Sequence, residues 1–305
     1  MKLPIAVLVV GVLLGGCTTK EPGSTRLTEG RLVIECDEAV YPAVQTLVAE
    51  FVDQYPDARI DLRSVEAREA IANFVNDSVK VIIVARAFNR EELDTMAAAQ
   101  INFQKYQIAQ SSVAVIANLE NPRLRFRLTE LDSIFGGEKT RWEGARGALI
   151  DLAVGDVNSS TNEAFRNAVM GGRRFTLTAT PMRATPDVIT YVRDTRNAFG
   201  IVGMAWLRGF HDRLNIVELG GPGWRPDTTR PAGQYYAPAQ AYVFQGYYPV
   251  TTPVWIYTRE ASRDLGLGFI SFATSASGQK VVTKEGLVPV TMPVRLVQLT
   301  SEQVN

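Results

Sequence analysis

The feature that most constrains the fold is an unbroken run of small apolar and β-branched residues from Val81 to Ala85. A strand with one face in water alternates apolar and polar side chains. This run therefore indicates a strand covered on both faces, as in the parallel sheet of an α/β protein. The run ends at Arg86. Ligands of such sheets bind beyond the carboxyl ends of the strands, where a guanidinium matches phosphate or carboxylate. Arg86 is thus a candidate anion-binding residue, and an ion pair with an acidic neighbour is the alternative.

Strand and helix patterns alternate on both sides of this run. Strand patterns at 31–36 and 60–64 are each followed by a helical apolar face. After the run, Asn89 and Glu92 form a capping-box pattern that begins another helix. This order predicts a mainly parallel sheet with right-handed crossovers. A further group of strand and helix patterns between about 113 and 219 predicts a second lobe.

The chain begins with a targeting signal. Lys2 precedes an apolar stretch over Ile5–Leu14 that is too short to span a bilayer. Leu14-Gly15-Gly16-Cys17 resembles the lipobox of bacterial lipoproteins. That resemblance implies cleavage before Cys17 and lipidation of this residue, which tethers the body stably to a membrane outside the cytoplasm. An ordinary secretory signal over 1–17 with an incidental Cys is the alternative. Residues 18–30 are polar and turn-rich, so they are typical of a flexible tether.

Composition excludes several classes of function. The chain has 32 Lys and Arg against 32 Asp and Glu and contains no basic block, which argues against nucleic acid as a partner. Cys36 is the only cysteine after Cys17, so an internal disulfide is impossible, and it is typical of a small buried residue. His211 is the only histidine, so a His-rich metal site is excluded and a Ser-His-Asp triad would need this residue. We therefore predict no metal and no cofactor.

A second place where chemistry can gather is the run Asn158, Ser159, Ser160 and Thr161, between a predicted strand and a helix. Its hydroxyls, the free N–H groups of a first helical turn and the helix dipole together form an uncharged anion cradle. Ser, Thr and Asn are also the ordinary helix caps, so plain capping is the alternative.

Charged residues near the same predicted edge add further candidates. Asp37 and Glu38 follow the first strand, where they can cap a helix or accept a hydrogen bond from a protonated oxyanion, and Asp156 can do the same from the second lobe. Arg68 lies early in the second helix and can reach the same crevice, or it can face solvent beside Glu69. For the acidic residues, the alternative is a solvated cap or surface charge.

Several stretches, taken in their shared order and spacing, resemble the PstS family of phosphate-binding proteins of ABC importers. The resemblance runs from about Arg31 to Val297. The stretches that carry it are Val79–Arg86 with Glu91–Leu93, Ala114–Asn118 with Asn121-Pro122, Leu128–Gly137 with Trp142, Ser159–Phe165, Asn197–Gly200, Tyr248-Pro249 and Gly278–Pro289.

The resemblance implies the type II periplasmic binding protein fold, with two α/β lobes joined by crossing strands and an anion in the cleft. We expect lobe I to comprise 31–113 plus 236–305, and lobe II to comprise 114–235. Ser159 and Thr161 fall on the family's phosphate-holding Ser and Thr, and Arg86 falls on its ligand position after the buried strand.

Ser160 replaces a glycine of the family. Two further departures leave the identity of the anion open. Gly155 stands where the family often has an Arg, and Cys36-Asp37-Glu38 stands where it often has Gly-Ser/Ala-Thr. Arg86 could supply the missing positive charge.

The expected function is that of a non-enzymatic, monomeric, lipid-anchored protein in the cell envelope that faces the periplasm or the cell exterior. It would capture a small oxyanion, inorganic phosphate first of all, and deliver it to the permease of an ABC importer. One alternative is a sensor or structural lipoprotein that kept the fold but lost the ligand. Another is a phosphoester hydrolase, which would need a metal cluster or an activated nucleophile.

Overall fold

The computed structural model describes residues 27–121, 123–142, 147–210, 213–221, 234–259 and 264–291. The predicted signal segment with Cys17, most of the predicted tether and His211 lie outside these ranges. None of the described helices is both long enough and apolar enough to cross a membrane.

Strands and helices alternate through most of the chain. The strands are β1 Gly30–Asp37, β2 Ala58–Val65, β3 Val81–Val84, β4 Gln104–Ala117, β5 Arg125–Arg127, β6 Asp151–Val154, β7 Thr180–Pro181, β8 Ala198–Gly203, β9 Asn215–Ile216, β10 Glu218–Gly220, β11 Tyr235–Tyr236, β12 Thr251–Thr258 and β13 Val288–Pro289. The α-helices are α1 Tyr41–Gln54, α2 Ala67–Val75, α3 Arg90–Ala98, α4 Leu128–Phe135, α5 Ser160–Val169, α6 Thr185–Asp194, α7 Gln240–Phe244, α8 Leu265–Thr274 and α9 Ala276–Lys284. Two short 3-10 helices cover Glu38–Val40 and Met204–Leu207.

The main sheet has the strand order β2-β1-β3-β12-β4-β8-β6-β7. Strand β1 pairs parallel with β2 and β3, and β6 pairs parallel with β7 and β8. Strands β12 and β4 run antiparallel to their neighbours and join the two parallel groups. The predicted α/β fold with a mainly parallel sheet flanked by helices is therefore confirmed.

Strand β4 passes from one group of strands to the other. Its first part pairs with β12 as far as Ser112, and its last part pairs with β8 from Val113 onward. We call the elements around β1–β3 the first lobe and those around β6 and β8 the second lobe. Each lobe has its own apolar core, centred on Phe51 and Phe269 in the first and on Phe126 and Phe165 in the second.

The segment from residue 236, where the sequence predicts the return to the first lobe, still packs against the second lobe. Tyr236, Tyr247, Tyr248 and Val250 all pack in the core of the second lobe. The hydroxyl of Tyr248 donates to the carbonyl of Val113 at 2.8 Å, inside that core. The first later strand that pairs with the first lobe is β12, which begins at Thr251. Large aromatic side chains thus hold much of 236–250 against the core of the second lobe, while Gln240 donates to the carbonyl oxygens of Thr283 and Leu287. The lobe boundary at 236 stays a prediction.

The site lies where these strands end. The carboxyl ends of the parallel strands β1, β2 and β3 meet at one edge, and they lead directly into Asp37-Glu38, Glu66 and Ala85-Arg86. All of β3 is buried, as its unbroken apolar run predicts. In the second lobe, β6 leads through Gly155 to the start of α5. Polar side chains from both lobes are thereby brought to one place.

Candidate functional site

A small cavity lies between these strand ends and contains residues of both lobes. Its lining residues are Glu38, Glu66, Gly155, Asp156, Ser159, Thr161, Ala184, Thr185 and Ile201. The cavity volume is about 10 Å³, which leaves room for about one water molecule. Three of the lining residues are carboxylates, and none is Lys or Arg. This cavity is therefore almost closed, and its wall is acidic.

The amino-terminal end of α5 contributes the hydroxyl groups predicted from sequence. Ser159 is the N-cap, and its Oγ accepts a hydrogen bond from the backbone N–H of Asn162 at 3.2 Å. Ser160 and Thr161 are 1% and 4% exposed, and neither hydroxyl has a hydrogen-bond partner within the described part of the chain. Buried polar atoms are rarely left without a partner. Thr161 lines the small cavity, whereas Ser160 lines a neighbouring pocket together with Ala85 and Arg86. Each hydroxyl therefore fits a position where a ligand or water binds.

Asn158 lies outside the cavity, in contrast to its expected role. Its side chain is exposed, and its backbone N–H donates to Oδ1 of Asp156 at 2.8 Å. Asn162 stabilises the same loop instead, because its side-chain amide donates to the carbonyl oxygens of Gly155 and Asp156. Asn158 therefore neither lines the cavity nor caps α5, since that cap is Ser159.

Asp37 is fully buried and joins the ends of β1 and β3. Its Oδ1 accepts from the N–H of Ala39 at 3.1 Å, and its Oδ2 accepts from the N–H of Ala85 at 2.9 Å. Burial raises the pKa of this carboxyl, and the nearby Ser160 hydroxyl and the two N–H donors oppose that effect. The Ser160 hydroxyl faces Asp37 without a hydrogen bond of good geometry. Each Asp37 oxygen keeps a second lone pair that can accept a proton from a ligand.

Glu38 makes the most direct connection between the lobes. Its Oε1 accepts from the N–H of Thr185 at 2.9 Å, and its Oε2 accepts from the Thr185 hydroxyl at 2.8 Å. Burial raises the pKa of Glu38, against the lowering effect of these two hydrogen bonds. Thr185 begins α6. The Glu38 carboxylate therefore binds the amino-terminal end of a helix in the opposite lobe, where an anion is stabilised.

Two backbone contacts strengthen this connection. The indole N–H of Trp206 donates to the carbonyl of Glu38 at 2.7 Å. At Gly203 a Cβ atom would lie 2.3 Å from the carbonyl oxygen of Ala39. Only glycine therefore allows these two backbone segments to approach this closely.

Glu66 is a site residue that the sequence reasoning missed. It follows β2 and immediately precedes α2, but its side chain makes no capping hydrogen bond. Its Oε2 is buried with no hydrogen-bond partner among the described residues. Burial, followed by repulsion from Glu38, Asp37 and Asp156, raises the pKa of Glu66 to about 8. Its position directly after a strand at the same edge as Asp37 was the signal that could have identified it.

Arg86 forms an ion pair inside the protein. The structure therefore shows the alternative interpretation, an ion pair with an acidic neighbour, in place of the expected anion-binding role. The side chain is 8% exposed and donates to both oxygens of Glu92, at 2.9 and 2.6 Å. Its Nε lies 3.6 Å from a carboxylate oxygen of Glu163 in the second lobe. Burial lowers the pKa of Arg86, but the hydrogen bonds and charge of Glu92 outweigh this effect and raise it. Two carboxylates thus already compensate this guanidinium.

Arg68 does not reach the cavity either. It is exposed and lines a groove between α2 and α3, together with Asn89 and Glu92. Arg68 was expected to reach the crevice beside Asp37, but it does not line the cavity there.

Metal binding and thiol chemistry find no support in this region. Within the described ranges, no group of three or more His, Cys, Asp or Glu side chains is arranged to hold a metal ion. Cys36 is buried, and its thiol donates to the carbonyl of Asp37. Burial, reinforced by Asp37 and Glu38, raises its pKa, which keeps the sulfur protonated and unreactive.

Comparison with known proteins identifies the superfamily of this chain. Residues 19–277 match a family model described as the PBP superfamily domain. The phosphate-binding protein PstS of Staphylococcus haemolyticus is 22% identical over 286 residues, which cover 90% of this chain and 87% of the relative.

Solved structures share the fold. A Clostridium perfringens protein described as a phosphate ABC transporter substrate-binding protein, solved with bound phosphate, has a TM-score of 0.73 and 21% identity, over 86% of this chain and 100% of that chain. An ABC-type phosphate transport receptor of Vibrio cholerae has a TM-score of 0.65 and 17% identity, over 86% and 100% of the two chains. These likenesses confirm the resemblance inferred from the sequence. Because the family model spans most of its length, this chain belongs to the PBP superfamily.

Proposed function

We propose that this chain is a lipid-anchored, extracytoplasmic binding protein, without enzymatic activity, that captures inorganic phosphate for the permease of an ABC importer. The observation that carries the proposal is that the buried hydroxyls of Ser160 and Thr161, at the start of α5, have no hydrogen-bond partner among the described residues. The names of its staphylococcal relatives and of its structural neighbours support the same ligand.

The hydrogen-bonding groups of the cleft suit a small oxyanion that carries a proton. The hydroxyls of Ser159, Ser160 and Thr161 and the first N–H groups of α5 can donate to its oxygens. Asp37 can accept a proton from it, which a fully ionised oxyanion such as sulfate does not offer. Hydrogen bonds to a charged group contribute about 1.5–3 kcal/mol each, so about four suffice for micromolar affinity.

Ligand entry requires the lobes to separate, because the cavity has room for about one water molecule. Opening breaks the contact between Glu38 and Thr185 that now joins the lobes. The crossing strands β4 and β12 are the connections about which such a hinge motion would occur.

A second candidate function is that of a sensor or structural lipoprotein that no longer binds phosphate. The observation that favours it is the charge of the cavity, whose lining has three carboxylates and no basic residue. Arg86, which could have compensated a phosphate charge, is held by Glu92.

Calorimetric titration of ligand-stripped protein from residue 27 onward, with phosphate and with sulfate near neutral pH, tests the proposal. We expect saturable phosphate binding and no heat of binding with sulfate. A folded sample that is silent toward phosphate would refute the proposed ligand and leave the second candidate. Turnover of a chromogenic phosphoester by the same sample would refute the non-enzymatic role.

A further inference from the structure

The acidic cavity poses a problem for any anion. An oxyanion that binds beside Ser159 and Thr161 also lies beside the carboxyl groups of Glu38, Glu66 and Asp156, since all five residues line the same small cavity. Like charges at such short range repel strongly when little water separates them. No basic residue lines the cavity to offset this repulsion. At least one of the carboxyl groups must therefore be neutral when an anion is bound.

Hydrogen bonds distinguish which carboxyl group this is. Both oxygens of Glu38 accept from Thr185, and Oδ1 of Asp156 accepts from the N–H of Asn158. Both oxygens of Asp37, just behind the cavity, accept from backbone N–H groups. Such bonds favour the charged form of a carboxyl group. By contrast, Oε2 of Glu66 is buried with no donor among the described residues.

We propose that Glu66 is a ligand-binding residue that acts as a neutral carboxylic acid and donates its proton in a hydrogen bond to the oxyanion in the cleft. This inference rests on the proposed function. It assigns to Glu66 the hydrogen-bond donation to the anion that a Lys or Arg side chain would otherwise provide. No bond is broken in this step, because the proton stays on Glu66 and is shared with a ligand oxygen.

An observation on the other wall of the cavity supports the same ligand position. Thr161 is 4% exposed, its hydroxyl has no partner in the described part of the chain, and it lines the same cavity as Glu66. A ligand oxyanion between the two residues would accept from both. It would thereby satisfy two buried polar atoms that come from opposite lobes.

The electrostatic surroundings keep the proton on Glu66 at neutral pH. The charged groups that face it are Asp37 at the end of β1, Glu38, Asp156 from the second lobe and Glu69 on its own helix, all of them negative. Together with burial, which is the largest effect, they raise the pKa of Glu66 to about 8. Most molecules therefore carry the neutral acid at pH 7.

The test is a set of phosphate titrations between about pH 6 and pH 9 on the wild type, Glu66→Gln and Glu50→Gln. Glutamine donates a hydrogen bond at every pH. The Glu50 variant makes the same charge change at an exposed position on α1, away from the groups that act on Glu66. Phosphate itself titrates in this range, but it does so equally for all three proteins. The ratio of dissociation constants between wild type and variant cancels that contribution.

We expect the wild type and Glu66→Gln to bind equally, within about twofold, near pH 6. At pH 9 a group with a pKa of about 8 keeps its proton in about one molecule in ten, so the wild type should bind about tenfold more weakly than Glu66→Gln. The Glu50→Gln variant should follow the wild type. Parallel curves for wild type and Glu66→Gln would overturn the role of Glu66 and leave the proposed function intact. Silence of all the folded proteins at every pH would instead refute the proposed function, and this inference with it.

A measurement on the wild type alone tests the inference even if the Glu66 variant does not fold. Infrared spectroscopy detects the carbonyl stretch of a neutral carboxylic acid. We expect such a band at pH 7 and a shift of that band when phosphate is added. A spectrum without the band, in protein that binds phosphate, would overturn the inference.

Discussion

Glu38 and Thr185 join the two lobes through two hydrogen bonds, one from the Thr185 N–H at 2.9 Å and one from its hydroxyl at 2.8 Å. A carboxylate of one lobe thus binds the amino-terminal end of a helix in the other. The cleft is held nearly closed by the protein's own side chains, and a ligand must compete with this contact or use it.

Removal of this contact should open the cleft. Hydrogen bonds to a charged group contribute about 1.5–3 kcal/mol each, and about 1.4 kcal/mol corresponds to a tenfold change in an equilibrium. We therefore expect Glu38→Ala to shift the open-to-closed ratio at least about tenfold toward the open form. Small-angle X-ray scattering should show a larger radius of gyration without ligand. Glu50→Ala, an exposed change in the same lobe, is the matched control. Identical scattering for Glu38→Ala and this control would contradict the claim that the Glu38–Thr185 contact holds the cleft closed.

Arg86 should matter for stability rather than for ligand capture. Arg86→Ala leaves the carboxylate of Glu92 unpaired at 17% side-chain exposure. Loss of one partner of a buried ion pair costs about 3–5 kcal/mol, which urea unfolding measures. The double variant Arg86→Met with Glu92→Gln should recover part of that loss, because no buried charge remains at that pair and Gln can still complete the capping box. An Arg86→Ala protein that is as stable as the wild type but does not bind phosphate would restore Arg86 as a ligand residue.

The hydroxyl groups at the start of α5 should carry much of the affinity. Ser160→Ala and Thr161→Val each remove one donor to a charged ligand, worth about 1.5–3 kcal/mol. Each should weaken phosphate binding by about tenfold to a hundredfold. Thr161→Val should not lower the free energy of unfolding without ligand, because it removes a buried hydroxyl that has no partner among the described residues. Thr178→Val, at an exposed position of the same lobe, should change neither quantity. Unchanged phosphate affinity in both test variants would remove α5 from the site.

Glu66 should make the free energy of unfolding depend on pH. Its pKa in the folded state, about 8, lies above its ordinary value of 4.5, chiefly because of burial. The folded protein then binds more protons than the unfolded chain between these values, so the contribution of Glu66 to stability falls as pH rises from about 4.5 to 8. Relative to the wild type, Glu66→Gln should become more stable across that window, and Glu50→Gln, at an exposed position on α1, should not. Urea unfolding at several pH values measures the difference. A constant offset between wild type and Glu66→Gln would show that Glu66 has an ordinary pKa.

Local patterns predicted local structure well. The apolar run after Lys80 is the buried strand β3, Asn89 and Glu92 form the capping box at α3, and Ser159 caps α5. Each of these depends on residues a few positions apart, so the sequence contains the whole arrangement.

The pairing of the charged residues depends on tertiary contacts that no local pattern contains. Glu38 and Thr185 are 147 positions apart, and the contact of Arg86 with Glu163 crosses from one lobe to the other. An ion pair of Arg86 with an acidic neighbour was expected only as an alternative, and the sequence did not identify that neighbour as Glu92. The same carboxylate serves both the capping box and the ion pair, since one oxygen accepts from the Asn89 N–H and both accept from Arg86.

A crystal structure of the protein grown with phosphate tests the central claim most directly, because it locates the ligand. We expect phosphate between the start of α5 and Glu66, with its oxygens within hydrogen-bond distance of Thr161 Oγ1 and Ser160, and with Arg86 still paired to Glu92. A phosphate bound by Arg86 after release from Glu92, or no phosphate in the cleft of well-ordered crystals, would contradict the account.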